Sequence, residues 1–208
     1  MTFQLEPDNE PQRTIWMFPR NKRTCYPYDV SLSLRAISNA IALHPNRPLD
    51  QREQNEVTEQ LRKLDIADGE KLRDVNSGGF RTWLSYFEQM NLLYFETSAA
   101  CERKIARLTQ AGSTMAALED PVKELRYSLA RMQYPSPYSL SSNVQISRRL
   151  RVRPVLFLQQ MASTPELAGI LYNSDIFLAC IYGHNHSKNT LEKVVKKCVT
   201  LRAKRYKN

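Results

Sequence analysis

The chain has 208 residues, 42% hydrophobic and 25% charged, enough for one large domain or two small ones with packed cores. No apolar run approaches the roughly 18 residues of a membrane span, and Met1-Thr2-Phe3-Gln4-Leu5-Glu6 does not read as a signal peptide. Four cysteines (Cys25, Cys101, Cys180, Cys198) without Cys-x-x-Cys spacing exclude a disulfide scaffold, so a cytoplasmic protein with reduced thiols is expected. Only six glycines are present, and neither glycine-rich phosphate motif occurs.

Lys plus Arg is 30 and Asp plus Glu 21, a net charge of +9. Residues 1–130 hold 17 basic and 18 acidic side chains, whereas residues 131–208 hold 13 and 3. The excess therefore sits entirely in the last part of the chain. Such a region attracts a polyanion, and counterion release favours nucleic acid; an anionic protein or a membrane surface would also suit, and composition does not separate DNA from RNA.

Residues 1–13, with Pro7 and Pro11, read as an irregular arm. Ile15-Trp16-Met17-Phe18 is a short apolar run stopped by Pro19. Asp29 is placed to cap a helix carrying Leu32, Leu34, Ile37, Ile41 and Leu43. A second helix is expected from about Pro48 through Val57, Leu61 and Leu64 to about Gly69. A third is expected from about Asp74, with Gly78-Gly79 in its first turns and Phe80, Trp83, Leu84, Phe87 and Met90 at helical spacing.

The period then changes. Leu92 to Phe95 and Lys104 to Thr109 are strand-like, with Thr97 to Arg103 as a hairpin tip. Three helices followed by a hairpin is the order of a winged helix, although any small α+β core could share it.

Thr109 opens a further helix, and Asp120-Pro121 restarts one with Asp120 as N-cap. That helix breaks at Tyr134-Pro135-Ser136-Pro137. A polar and then basic segment follows, with Arg148, Arg149, Arg151 and Arg153. Pro154 starts the next helix, Ser174 is placed to cap Asp175 to Tyr182, and Asn189 or Thr190 begins the last. In this last helix Leu191, Val194, Val195, Cys198 and Leu201 are expected to face inward. Lys193, Lys196, Lys197, Arg202, Lys204 and Arg205 are expected to face outward, a solvated face or a phosphate-facing one. The expected fold is mainly α with a small β-hairpin wing (α+β), in two winged-helix or helix-turn-helix-like units. The expected division is 1–13 arm, 14–118 winged-helix-like subdomain and 119–208 basic helical subdomain.

No catalytic constellation emerges. His184-Asn185-His186 spells the letters of a nuclease motif whose residues are in fact spread over a ββα unit; a loop or cap role suits these residues better. A Mg²⁺-dependent PD-(D/E)xK site needs carboxylates and a lysine on adjacent strands. Pro7-Asp8 lies in the arm and Asp120-Pro121-Val122-Lys123 starts a helix, so neither qualifies. The chain reads as a binding module.

Arg107-Leu108-Thr109-Gln110-Ala111-Gly112, Met115-Ala116, Asp120-Pro121, Met132-Gln133-Tyr134-Pro135-Ser136 and Arg153-Pro154-Val155-Leu156-Phe157-Leu158 together resemble the N-terminal half of the AlwI-type restriction endonucleases and related nicking enzymes. Members carry a similar "LT-x-AG" after a wing, "QYPS" after the next helix and "x-P-L-x-F-x-L" at a helix start. The resemblance spans most of residues 14–202 and is strongest over 105–160.

It implies a winged-helix region that reads a short asymmetric site on double-stranded DNA, followed by a PD-(D/E)xK domain that cuts nearby with Mg²⁺. The family's catalytic residues have no counterpart here, so a nuclease domain or subunit elsewhere is the implied partner. Arg73, Asn76, Ser77 and Arg81 are candidates for base contacts at the third helix. Arg103 and Lys104 are candidates at the wing tip. Arg148, Arg149, Arg151 and Arg153 would follow the backbone or enter the minor groove, and Lys188, Lys193, Lys196 and Lys197 would position the second unit. No membrane partner is expected, and the implied location is the prokaryotic cytoplasm, on DNA. A winged-helix transcription regulator, an endonuclease subunit and an RNA-binding protein are the competing expectations.

Overall fold

The computed structural model describes residues 15–16, 26–64, 78–97, 104–117, 120–136, 146–147 and 149–205. Among them the chain is mainly helical with one two-stranded antiparallel sheet. The elements are α1 (Pro27–Leu43), α2 (Gln51–Lys63), α3 (Gly78–Gln89), β1 (Leu93–Thr97), β2 (Lys104–Leu108), α4 (Gln110–Ala116), α5 (Pro121–Arg131), α6 (Pro154–Ala162), α7 (Asn173–Tyr182) and α8 (Lys188–Arg205). No described helix is long and apolar enough to cross a membrane.

Two compact units form, and they divide the chain differently from the expected 14–118 and 119–208. In the described residues, the first unit holds α1 to α5 and the hairpin. The second holds Trp16, residues 132–136 and residues 146–205. The physical reason is α5, which packs on α1 and α4 and inserts Leu125 and Leu129 into the first core.

The first core is built on α1 and α3. Val30, Leu34 and Ile37 recur at helical spacing on α1, as do Phe80, Trp83 and Phe87 on α3, with Met90 just past its end. Trp83 stacks on Phe87 at 5.4 Å between ring centroids. Asp29 is not the cap of α1: Pro27 takes the first helical position, and Asp29 lies in the first turn, where its charge meets the positive end of the helix. α2 starts later than Pro48. The Asp50 side chain accepts the Glu53 N–H while Glu53 accepts the Asp50 N–H, a reciprocal capping box. α3 is described from Gly78; Asp74 to Ser77 lie outside the described residues.

β1 and β2 pair in register from Leu93 opposite Leu108 to Thr97 opposite Lys104. The chain enters α4 directly from β2. The Thr109 hydroxyl accepts the Gly112 N–H at 3.0 Å and donates to the Asn91 carbonyl at 2.8 Å, which joins the helix start to the hairpin start. Asp120 caps α5 through the Lys123 N–H.

The second core gathers Trp16, Leu150, Val152, Phe157, Met161, Leu167, Ala179, Val194, Val195 and Cys198. Trp16 is fully buried, and its indole N–H donates to the Gly183 carbonyl at 2.8 Å. Burial pushes the thiols of Cys180 and Cys198 up to about 11 and about 12, so both remain protonated packing groups at neutral pH.

Ser174 does not cap α7. The Asp175 carboxylate reaches back to the Tyr172 N–H at 2.8 Å, and the helix begins at Asn173. α8 begins at Lys188 rather than Asn189, and the Ser187 hydroxyl accepts the Thr190 N–H at its start.

Candidate nucleic-acid interface

The segment before α6 alternates. Leu150 and Val152 are each 1% exposed, whereas Arg149, Arg151 and Arg153 lie on the surface. In extended backbone successive side chains point to opposite faces, so burying Leu150 and Val152 turns the neighbouring arginines outward. Val152 exchanges both backbone hydrogen bonds with Tyr134, at 2.7 and 3.0 Å. The Arg151 N–H donates to the His184 carbonyl at 2.8 Å.

The Arg153 N–H donates to His186 Nε2 at 2.8 Å, and His186 Nδ1 lies 3.0 Å from Gln160 Oε1. These partners assign a neutral ring with its proton on Nδ1. Burial, and then the nearby Arg153 charge, hold its pKa below the usual histidine value. His184, Asn185 and His186 thus do structural work around this edge. The Asn185 side chain accepts from Ser187 N–H and from the Thr190 hydroxyl.

Among the described residues, Arg149, Arg151 and Arg153 make no ion pair. The result is a backbone edge held from several sides with exposed guanidiniums. Arginine forks match phosphate oxygens and guanine edges in two-point contacts.

The remaining candidates are distributed. Arg81 is exposed on the first turn of α3. Lys104 opens β2, half-buried, and its charge acts on Glu88. Lys193, Lys196 and Lys197 are exposed on α8, whereas Lys188 lies 3.8 Å from Glu192 in a solvated pair. Arg73, Asn76, Ser77, Arg103 and Arg148 lie outside the described residues.

Arg202 corrects its sequence assignment. It turns inward and holds the fully buried Asp175 at 2.6 Å, donates to the Ile170 carbonyl and covers the Tyr172 ring at 4.7 Å. Burial opposes the Asp175 charge, but the hydrogen bonds from Arg202 and the Tyr172 N–H outweigh it and keep the carboxyl below its ordinary range.

Sequence reasoning also missed a groove between α7 and α8, floored by Leu178, Tyr182 and Leu201. The only available signal was the i, i+4 spacing of Leu178 and Tyr182. Among the described residues, no three His, Cys, Asp or Glu side chains gather as a metal-holding set. No protein-family model and no curated protein matches the chain.

Proposed function

We propose that this chain is a sequence-specific recognition module for double-stranded DNA. In this proposal it corresponds to the part of a type IIS restriction or nicking endonuclease that reads a short asymmetric site. The reading rests on the edge Arg149-Leu150-Arg151-Val152-Arg153, where buried aliphatic residues fix outward arginines that no carboxylate among the described residues neutralises. These arginines would meet the phosphate backbone or enter the minor groove. The α8 lysines add to the positive field that draws DNA to this unit. Within the first unit, α3 is the proposed reading helix and the hairpin the proposed wing. Cutting belongs, in this proposal, to a PD-(D/E)xK nuclease domain or subunit outside this sequence.

The test is duplex binding by fluorescence anisotropy as a function of salt. The variant Arg151→Gln/Arg153→Gln is expected to bind weaker on all sequences and to lower the slope of log affinity against log salt by about 2, roughly one for each lost phosphate contact. An unchanged slope would remove this edge from the interface.

A further inference from the structure

The groove between α7 and α8 has a volume of about 530 Å³. Its floor is apolar, from Leu178 and Tyr182 one turn apart on α7 and Leu201 on α8. Its rim is cationic. Lys193, Lys196, Lys197 and Lys204 run along α8 over about 16 Å at 1.5 Å per residue.

Lys193 and Lys197 stand four residues apart on one helix face, a like-charge spacing that costs helix stability until an anion relieves it. Lys197 Nζ sits 4.2 Å from the Tyr182 ring centroid. Among the described residues, none of the four lysines makes an ion pair.

We propose that this groove docks an acidic amphipathic helix of a protein partner, with an aliphatic stripe on the Leu178–Tyr182–Leu201 floor and Asp or Glu side chains against the lysines. Charge complementarity requires an anionic occupant, and the floor requires an apolar stripe on the same occupant. A DNA duplex satisfies only the first, because its phosphates gain nothing from leucine. A base stacking on Tyr182 would have to displace the Lys197 ammonium already over that ring. β-strand addition is excluded because both walls are helices, whose backbone groups are engaged along their length. A helix laid along the groove answers both demands, and about 11 of its residues would span the lysine row. Docking here does not require DNA at the arginine edge, although the same α8 lysines also add to the field proposed above to draw DNA.

The experiment uses the full chain, ¹⁵N-labelled, and a synthetic helical peptide of about 18 residues. Its leucines lie at i, i+3, i+4 and i+7, and glutamates fill its other faces. The control is an isomer of the same composition with the stripe scrambled. The striped peptide is expected to shift the amides of Leu178, Tyr182, Thr200 and Leu201 and to bind at least about tenfold tighter than the isomer. Lys196→Gln/Lys197→Gln, at two exposed positions, is expected to weaken it at least about tenfold with the amide spectrum outside the groove unchanged. Equal binding of both peptides would overturn the proposal and leave a charge patch. Displacement of the peptide by duplex DNA with the same amides shifted would also overturn it, assigning the groove to DNA. A third overturning outcome is that phosphatidylserine vesicles shift these amides while the striped peptide does not.

Discussion

Gly112 packs directly beneath the Leu92 carbonyl: a β-carbon at position 112 would stand 1.9 Å from that oxygen and 3.0 Å from the Leu108 side chain. The obstacle is backbone, at the junction of α3, the hairpin and α4, so neither side can yield without moving an element. Gly112→Ala is expected to destabilise the first unit by about 3 kcal/mol or more. Thr109→Ala, which loses the cap that binds the same junction, is expected to cost about 1 kcal/mol, and Thr109→Ser to restore most of it. Urea unfolding followed by tryptophan fluorescence, with Trp83 in this core, reads both. An unchanged midpoint for Gly112→Ala would contradict the packing.

Glu88 gives the first unit a pH-dependent stability. Its side chain is 7% exposed, and burial pushes its carboxyl up to about 7, against a smaller opposing pull from Lys104. A raised folded pKa means that the protonated form is the favoured one in the native state. The associated stability is complete below about 4.5 and is lost as pH rises to about 7, a change on the order of 3 kcal/mol. Glu88→Gln is expected to flatten this decline and to exceed the parent in stability at pH 8. Lys104→Gln, which removes the opposing charge, is expected to steepen it. Denaturant midpoints taken at half-unit pH steps make the comparison.

His186 acts with the opposite sign. Its pKa lies below 6.5 because burial and the Arg153 charge disfavour the imidazolium. The stability it brings is present above 6.5 and is lost as pH falls, since the unfolded chain takes up the proton first. Protonation also removes the acceptor that holds the Arg153 N–H. His186→Ala is expected to cost about 1 kcal/mol at pH 7.5 and less at pH 5. An equal cost at both pH values would contradict the neutral, hydrogen-bonded ring.

Asp175 and Arg202 bind the start of α7 to the last turns of α8. Asp175→Ala strips a half-buried guanidinium of its partner and frees the Tyr172 N–H. It is expected to cost about 3–5 kcal/mol, whereas replacing both charges together with Asp175→Leu/Arg202→Met is expected to cost less than the single change. A double-mutant cycle by thermal unfolding measures the coupling, and additive losses would show that the pair is not coupled.

Arg81 and Arg151 separate base reading from backbone attraction. Arg81→Ala is expected to relax sequence preference with little change on non-cognate duplex, and Arg151→Ala to weaken every duplex alike. Competition assays on cognate and scrambled duplexes distinguish them. Uniform loss in both variants would remove α3 from the reading role.

The sequence made legible those parts of the fold that are local. Asp120-Pro121 restarts a helix where a cap and a fixed φ coincide, and the change from helical to alternating period marks the ends of β1 and β2 to within two residues. The Thr109-to-Gly112 motif acquires its meaning only in three dimensions, because its partner Leu92 lies on the far side of the hairpin. The inward turn of Arg202 is hidden in the sequence for a similar reason. It continues the inward-facing ridge Leu191-Val195-Cys198, and the carboxylate that makes this tolerable lies 27 positions earlier. The membership of α5 in the first unit follows from Leu125 and Leu129 meeting α1 and α4, contacts that chain order does not announce. In the candidate interface, alternation around Leu150 and Val152 was visible as a run of arginines but not as an edge, since its supports are Tyr134, His184 and His186.

Sequence-specific recognition of duplex DNA is tested most directly by selecting bound sequences from random duplexes at about physiological salt, where non-specific binding is weak. A single asymmetric site of about five or six base pairs, with each mismatch costing about 1–3 kcal/mol, is the expected result. A pool that shows no enriched sequence, or preference for RNA in direct competition, would contradict it.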